Sequence, residues 1–425
     1  MLRRAGFGAS GPQIDAVVGQ DWSVYLDKAL NMDPDSDPGA LATPIPAPVT
    51  PPIPPDSAPL PVRTEFIKVL SGQMLDLGAW WTRRMAAVQE PIHEKLTLVW
   101  HNHFATSAEK VLAAELMAAQ NQKLRTLKLG DFRELAYAML IDAAMALWLD
   151  AVRNTKAAPN ENLSREFMEL FTLGHNNGYT EADVKEGARA LTGRYVIPGA
   201  QTVIAPENHD TAAKTVFGVT GNHDDTAFCD IVHSQPGSPG FVAGKLWRLL
   251  ASDTPAPPDV VDRLVAAYGP NRDLKALTKA VFLDPAFTAS AGSMVTQPIE
   301  WLVGMLRSLA VPLGSPDAVA GTNVVLTVMG QRPFFPYDVG GWPRGQVWLS
   351  STSTAARVWA ADKFVPMGDL SVVQEAGPTD RVDAAGYLLG IGAWSDSTAA
   401  ALKPLHDNPV RLVAAAVNTP EYLTS

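Results

Sequence analysis

Cysteine is nearly missing from this chain: Cys229 is the only one in 425 residues. Intrachain disulfides are therefore excluded, as is any metal site built on several thiolates. A lone thiol most often behaves as a small buried hydrophobe. Long apolar runs are missing too, so no membrane span is expected. Positive charge is in short supply. Lysine and arginine total 34 against 44 acidic residues, a net charge of −10. That argues against a general nucleic-acid binder, which carries a basic face. The opening "MLRRAGFGAS" has two arginines but no apolar core behind them, and does not read as a secretory signal. As written the chain is expected in the cytoplasm; a true start further upstream would make export the expectation. There is no phosphate-binding P-loop motif, no HExxH, no GxSxG, and no Rossmann glycine pattern between strand and helix.

Proline and helical periodicity are what the chain does have. Prolines crowd residues 33–62 too densely for a helix or central strand, which predicts an extended surface loop or linker. A first helix is expected over 12–31. Helices follow over 64–88, 91–105, 108–128, 131–148, 160–173 and 180–193. Asp131 is a natural cap, Thr180 with Asp183 forms a shortened capping box, and Gly193 is a terminator. "RYVIPGAQTVIA" switches to β-formers, predicting a hairpin near 194–204, the only β-structure expected. Further helices are expected near 226–234, 238–251, 257–268, 272–284, 297–309, 351–363, 380–390 and 408–416. "GQRPFFPYDVGGWPRGQVWLS" reads as a long ordered loop, because tryptophans do not belong in a flexible linker. With no βαβ alternation, the class is mainly α: one large multi-helix domain over 1–425, with a small hairpin and long ordered loops.

Four segments could carry chemistry. In "IHEKLTLVWHNHF", helical spacing places Ile92, Leu96, Val99 and His103 on one face, with His101 on nearly the opposite side. Two histidines so placed cannot clamp one metal ion. His103 is the stronger candidate for a ligand or acid–base group, and Asn102 for a substrate contact. A core histidine bonded to a backbone carbonyl is the plainer alternative. In "PNENLSREFMELFTLG", Leu163, Phe167, Leu170 and Phe171 make the inner face. Asn162, Arg165, Glu166 and Glu169 fall on the other. Glu166 and Glu169 are close enough to share a cation or to hold one raised pKa. Such carboxylates plus a histidine from another helix can build a divalent-metal site, though the usual ExxH partner is missing. Arg165 can neutralise a glutamate or bind an anion, and Asn160 with Asn162 can cap a helix or hold a substrate.

"ENHDTAAKTVFG" offers His209–Asp210, similar to the metal-binding His-Asp dipeptide of one phosphohydrolase class, and Lys214 as an anion contact. Its further ligands have no evident place here, and loop residues bonding backbone are the alternative. Asp224 and Asp225 read as helix caps, His233 and Lys245 as packing or snorkelling residues. In "DVGGWPRGQVWLS", Gly340 and Gly341 permit unusual backbone, and Trp342 either walls a pocket or anchors the loop.

Taken in order, "MLRRAGFG", "LTLVWHNHFATS", "PNENLSREFMELFTLG", "YTEADVKEGARALTG", "HDTAAKTVFG", "GKLWRLL" and "GGWPRGQVWLS" resemble the bacterial family called domain of unknown function 1800. The resemblance implies one large, mostly helical domain, an export route and a sulfatase-like partner protein, but no particular reaction. This chain has Asp338 where the family more often has asparagine. Two functions are then expected to compete. One is an enzyme, a hydrolase or transferase on a polar or anionic substrate. It would use His103, Glu166, Glu169, His209 and Asp210, with a divalent metal on His103, Glu166, Glu169 and His209 in its metal-assisted form. Asn102, Asn160, Asn162, Arg165, Lys214 and Trp342 would then hold the substrate. The other is a non-catalytic binding or assembly protein. Convergence of His103, the Asn160–Glu169 segment and His209 in one pocket would favour the enzyme.

Overall fold

The structure is a computed structural model and describes residues 1–425. It contains 25 α-helices and two small two-stranded antiparallel sheets in one large helical domain. No helix is long and apolar enough to cross a membrane.

The organising element is the central helix Ile92–His103, in which every residue is buried. Its apolar side chains feed two cores. Leu98 joins a core formed with the long helix Leu60–Ala87, the helix Pro298–Ser308 and the C-terminal helices. Ile92, Leu96, Val99 and Trp100 join a second core, with Phe132–Leu140, Ser238–Leu250 and Leu274–Leu283. A helix between two cores has no solvent face, so its polar residues must find partners inside the protein. Most do. His93 Nε2 donates to the Ala29 carbonyl at 2.9 Å, Thr97 to the His93 carbonyl at 2.8 Å, and Lys95 pairs with Glu300. The long helix ends beside it, where Arg307 donates to the carbonyls of Met85 and Ala86 at 3.1 and 3.2 Å.

The helical class holds, while several boundaries move for local reasons. The expected helix 12–31 is two helices, Gly11–Asp15 and Trp22–Asn31, separated at Gly19, whose φ is +84°. The span 108–128 breaks at Leu112, which adopts φ +61° between Ala108–Val111 and Ala114–Leu127. The span 131–148 breaks at Asp142, whose carboxylate caps the next helix at the Met145 amide, 3.0 Å. The caps at Asp131 and at Thr180 with Asp183 form as expected.

The proline-rich stretch 33–62 is not extended throughout. Asp37 is buried and caps a short helix, Pro38–Ala42, and the long helix already begins at Leu60. Proline in a first turn costs nothing, because those amides have no intrahelical partner. Between these helices the chain lies extended along the long helix. Trp80 Nε1 holds the Thr43 carbonyl at 3.0 Å and Gln73 holds that of Val49 at 3.0 Å.

The hairpin near 194–204 is present, with Arg194 opposite Ile204 and Ile197 opposite Gln201. It is not the only one. Lys214–Val216 pairs with Val219–Gly221 across a turn made by Phe217 and Gly218, both at positive φ. Phenylalanine is an unusual first residue for such a turn, which hides it from sequence patterns. Here the Phe217 amide is held by Asp183 at 2.6 Å.

Candidate functional site

The C-terminal end of the central helix is where the sequence motifs meet. His101 and His103 are both buried, so the expectation of one inward and one outward histidine is corrected: neither side of this helix faces water. His101 Nε2 accepts from the Phe334 amide at 3.2 Å and packs against Trp81, Phe334 and Trp342. Burial pushes its pKa down to about 3. His103 Nε2 donates to the Phe171 carbonyl at 2.9 Å, inside a box of Trp100, Phe104, Phe132, Phe171 and Phe241. Burial, helped by the charge of Lys245, lowers its pKa to about 3. His103 thus has the geometry of the carbonyl-bonded core histidine, and only its Nδ1 is left without a partner.

Asn102 and Trp342 turn out to be each other's partners. Asn102 Oδ1 accepts from the Trp342 amide at 2.7 Å, and the indole donates to the Phe335 carbonyl at 3.2 Å. The loop can approach this closely only because residue 341 is glycine. Its φ is +92°, and a Cβ there would lie 2.4 Å from Asn102 Oδ1. Trp342 is therefore the loop's anchor, and it also forms one wall of a small gap.

The carbonyl that receives His103 belongs to an unusual turn. The helix Asn162–Glu166 widens into a π-helix over Phe167–Thr172, an element found disproportionately at functional positions. On its outer side Arg165 is engaged by Glu161 at 2.9 Å, by Glu181 at 2.8 Å and by Glu169 at 3.5 Å. Glu169 also lies 3.2 Å from His175 Nδ1. Glu166 is half-buried. Burial and the neighbouring Glu169 raise its pKa, and Asp338 adds to this, against the opposing pull of His175 and Arg165. Asn160 is a turn residue: its side chain accepts from the Asn162 amide at 3.0 Å, and its own amide donates to Asn154 at 2.9 Å. Asn162 opens the helix.

His209, Asp210 and Lys214 form a separate group. His209 Nδ1 donates to the Thr192 carbonyl at 2.9 Å. Asp210 accepts from Arg189 Nε at 2.7 Å. Lys214 is buried and donates to the carbonyls of Asp210 and Ala212 and to Asn222. These bonds tie the 206–214 loop to the end of the helix Glu181–Ala190 and, through Lys214, to the second hairpin. No hydrogen bond or ion pair joins His209 to His103, Glu166 or Glu169, and none joins His103 to either glutamate. No three histidine, cysteine, aspartate or glutamate side chains are grouped so as to hold a metal ion. The four candidate metal ligands thus lie in three places.

Two cations that sequence reasoning passed over complete the picture. Lys245, read as a snorkelling residue, projects from Ser238–Leu250 with no carboxylate paired to it. Burial lowers its pKa, and Arg248 and Arg344 lower it further. Arg344, two residues after the anchoring tryptophan, has a side chain only 12% exposed. Its Nη2 is 3.3 Å from Asp253 Oδ1, yet none of its three guanidinium nitrogens makes a hydrogen bond. Burial depresses its pKa, and Glu300 and Asp253 oppose that. Near it Lys95, Asn102, Leu249, Gln297, Glu300 and Trp342 line a small gap of about 10 Å³, the size of one water molecule. Lys95, Lys245 and Arg344 lie near Glu300 and Asp253, a local excess of one positive charge in a protein of net charge −10, and Arg248 adds to it from an exposed position. The one signal in the sequence was a lysine set among apolar residues in "FVAGKLWRLL".

The fold and site together define a large helical protein whose motif residues mainly pin loops, leaving Lys245 without a carboxylate partner beside Arg344, near a buried helix. The chain belongs to the family described as protein of unknown function (DUF1800), whose model matches residues 1–424. No match is found among curated proteins or among solved structures.

Proposed function

We propose that this protein recognises an anionic group of the oxyanion type at the end of the central helix, through Lys245 and Arg344. One observation carries this reading: two partly buried cations, on separate segments, lie within electrostatic reach of each other, and Asp253 is the one carboxylate ion-paired with either. A buried charge left without full pairing costs stability, so its presence calls for a compensating ligand. Titrating the full chain with sulfate and with phosphate by calorimetry tests it. Saturable binding that weakens at least tenfold in Lys245→Met is expected; equal affinity in wild type and variant would remove the proposal.

An enzymatic role, hydrolysis or group transfer on that anionic substrate, is the second reading. It is favoured by Glu166, whose raised pKa and half-buried position beside Glu169 and His175 suit a proton-transferring group. It also lies near Asp338, on the same loop as Arg344. A screen of phosphate and sulfate esters with Glu166→Gln as control separates catalysis from recognition. A non-catalytic assembly role with a sulfatase-like partner rests on the family resemblance alone, and an untagged pull-down at low salt tests it.

A further inference from the structure

A different groove lies along the N-terminal half of the long helix, and none of its residues belongs to the pocket above. Ile67, Met74 and Leu75 form one wall, Leu112 and Phe335 face them, and the space between is about 250 Å³. That is close to the lower end of small-molecule sites, roughly 300 Å³. Its apolar side chains are unusually open: Ile67 is 51% exposed, Leu75 45% and Leu112 47%. Leu112 is also held at φ +61°, a conformation that costs a branched side chain energy and recurs at ligand-binding positions.

One cation sits in this groove. Arg332 stacks on the Phe335 ring at 3.9 Å but pairs with no carboxylate, and its Nε is shielded without a partner. Glu109, at the rim, is not ion-paired with it. The guanidinium is thus positioned by stacking and left with donors to spare, in a forked geometry that suits a carboxylate. From Ile67 to Leu75 the wall runs eight residues, ~12 Å of helix, about the length of a ten-carbon chain.

We propose that this groove binds an amphipathic carboxylate of the fatty-acid class, with its tail along the long helix and its head on Arg332. An apolar partner surface could cover the same wall but would leave the guanidinium unpaired, which is why an anionic head is required.

The test is calorimetric titration of the full chain with octanoate, decanoate, decanol and decyltrimethylammonium, each below its micellar concentration. Decanoate should bind one to one, and more tightly than octanoate by about fourfold per added methylene. Arg332→Gln should weaken decanoate at least tenfold while leaving decanol unchanged. Ile67→Glu, at an exposed position, should weaken both without changing the thermal midpoint. Absence of saturable decanoate binding, equal affinity for the ammonium amphiphile, or an unaltered Arg332→Gln variant would each overturn the proposal.

Discussion

Two clusters of charge lie at opposite ends of the central helix. Near its start, Glu94 receives Arg84 Nε at 2.8 Å, Arg125, and Trp81 Nε1 at 3.0 Å. Burial alone would raise the Glu94 pKa, but the two guanidinium groups outweigh it and hold it below the usual range. Near its end, Lys245 lies within electrostatic reach of Arg344, and Asp253 is the one carboxylate ion-paired with either. The first cluster is fully buried and the second only partly, and the two differ further in completeness of pairing. A satisfied cluster rigidifies the core, while an under-paired one keeps capacity for a ligand.

The largest effect expected is that of acid, which would add protons to this helix and to His233 on the helix Asp225–His233. His93, His101, His103 and His233 have folded-state pKa values of about 4, 3, 3 and 4. All lie below the unfolded value of about 6.5, so the unfolded chain binds more protons under acid conditions. Their contribution to stability is complete above pH 6.5 and is lost as pH falls toward 4. The slope approaches about 1.4 kcal/mol per pH unit for each histidine. Urea unfolding at pH 7, 6 and 5 checks this, and a flat profile would show that the rings are not held neutral.

Next in size is the fully paired end. Glu94→Gln leaves the buried Arg125 without a carboxylate and Arg84 with Asp35 alone, and should cost ~3–5 kcal/mol, read as a drop in urea midpoint at pH 7. A loss under ~1 kcal/mol would mean the cluster is solvated and the contrast false. Gly341→Ala should cost ~1–3 kcal/mol, through the positive φ and the clash with Asn102. If the loop latch is what holds Arg344 near Lys245, this variant should also weaken sulfate binding. The smallest effect expected is on stability in Lys245→Met: a thermal midpoint unchanged or slightly raised, because an unpaired charge is replaced by a matching apolar stem. A clear loss there would place Lys245 with Glu94 as a structural residue.

Much of the fold was legible because its causes are local. The helical stripe of the central helix and the caps at Asp131 and Thr180–Asp183 depend on residues within one turn, and so does the β-rich composition of 194–204. The breaks were not legible. Leu112 at positive φ and the Phe217–Gly218 turn run against intrinsic preference and are held by their surroundings. The candidate site was half legible. "WHNHF", "NENLSREFMEL" and "DVGGW" were singled out and do meet, but the roles shift: His103 bonds a carbonyl, Asn102 and Trp342 bond each other, and His209 lies in a separate network.

By itself, then, the sequence determined the helical class, the positions of caps and loops, and the exclusion of disulfides, since each follows from composition or from neighbours a few residues apart. Only the tertiary structure decided which polar groups are spent and which are free. His103 finds Phe171 across 68 residues, Asn102 finds Trp342 across 240, and Glu94 is neutralised from both sides. Lys245 meets Arg344 but no carboxylate of its own. Pairing of this kind is set by packing between distant segments, and helical periodicity carries no record of it.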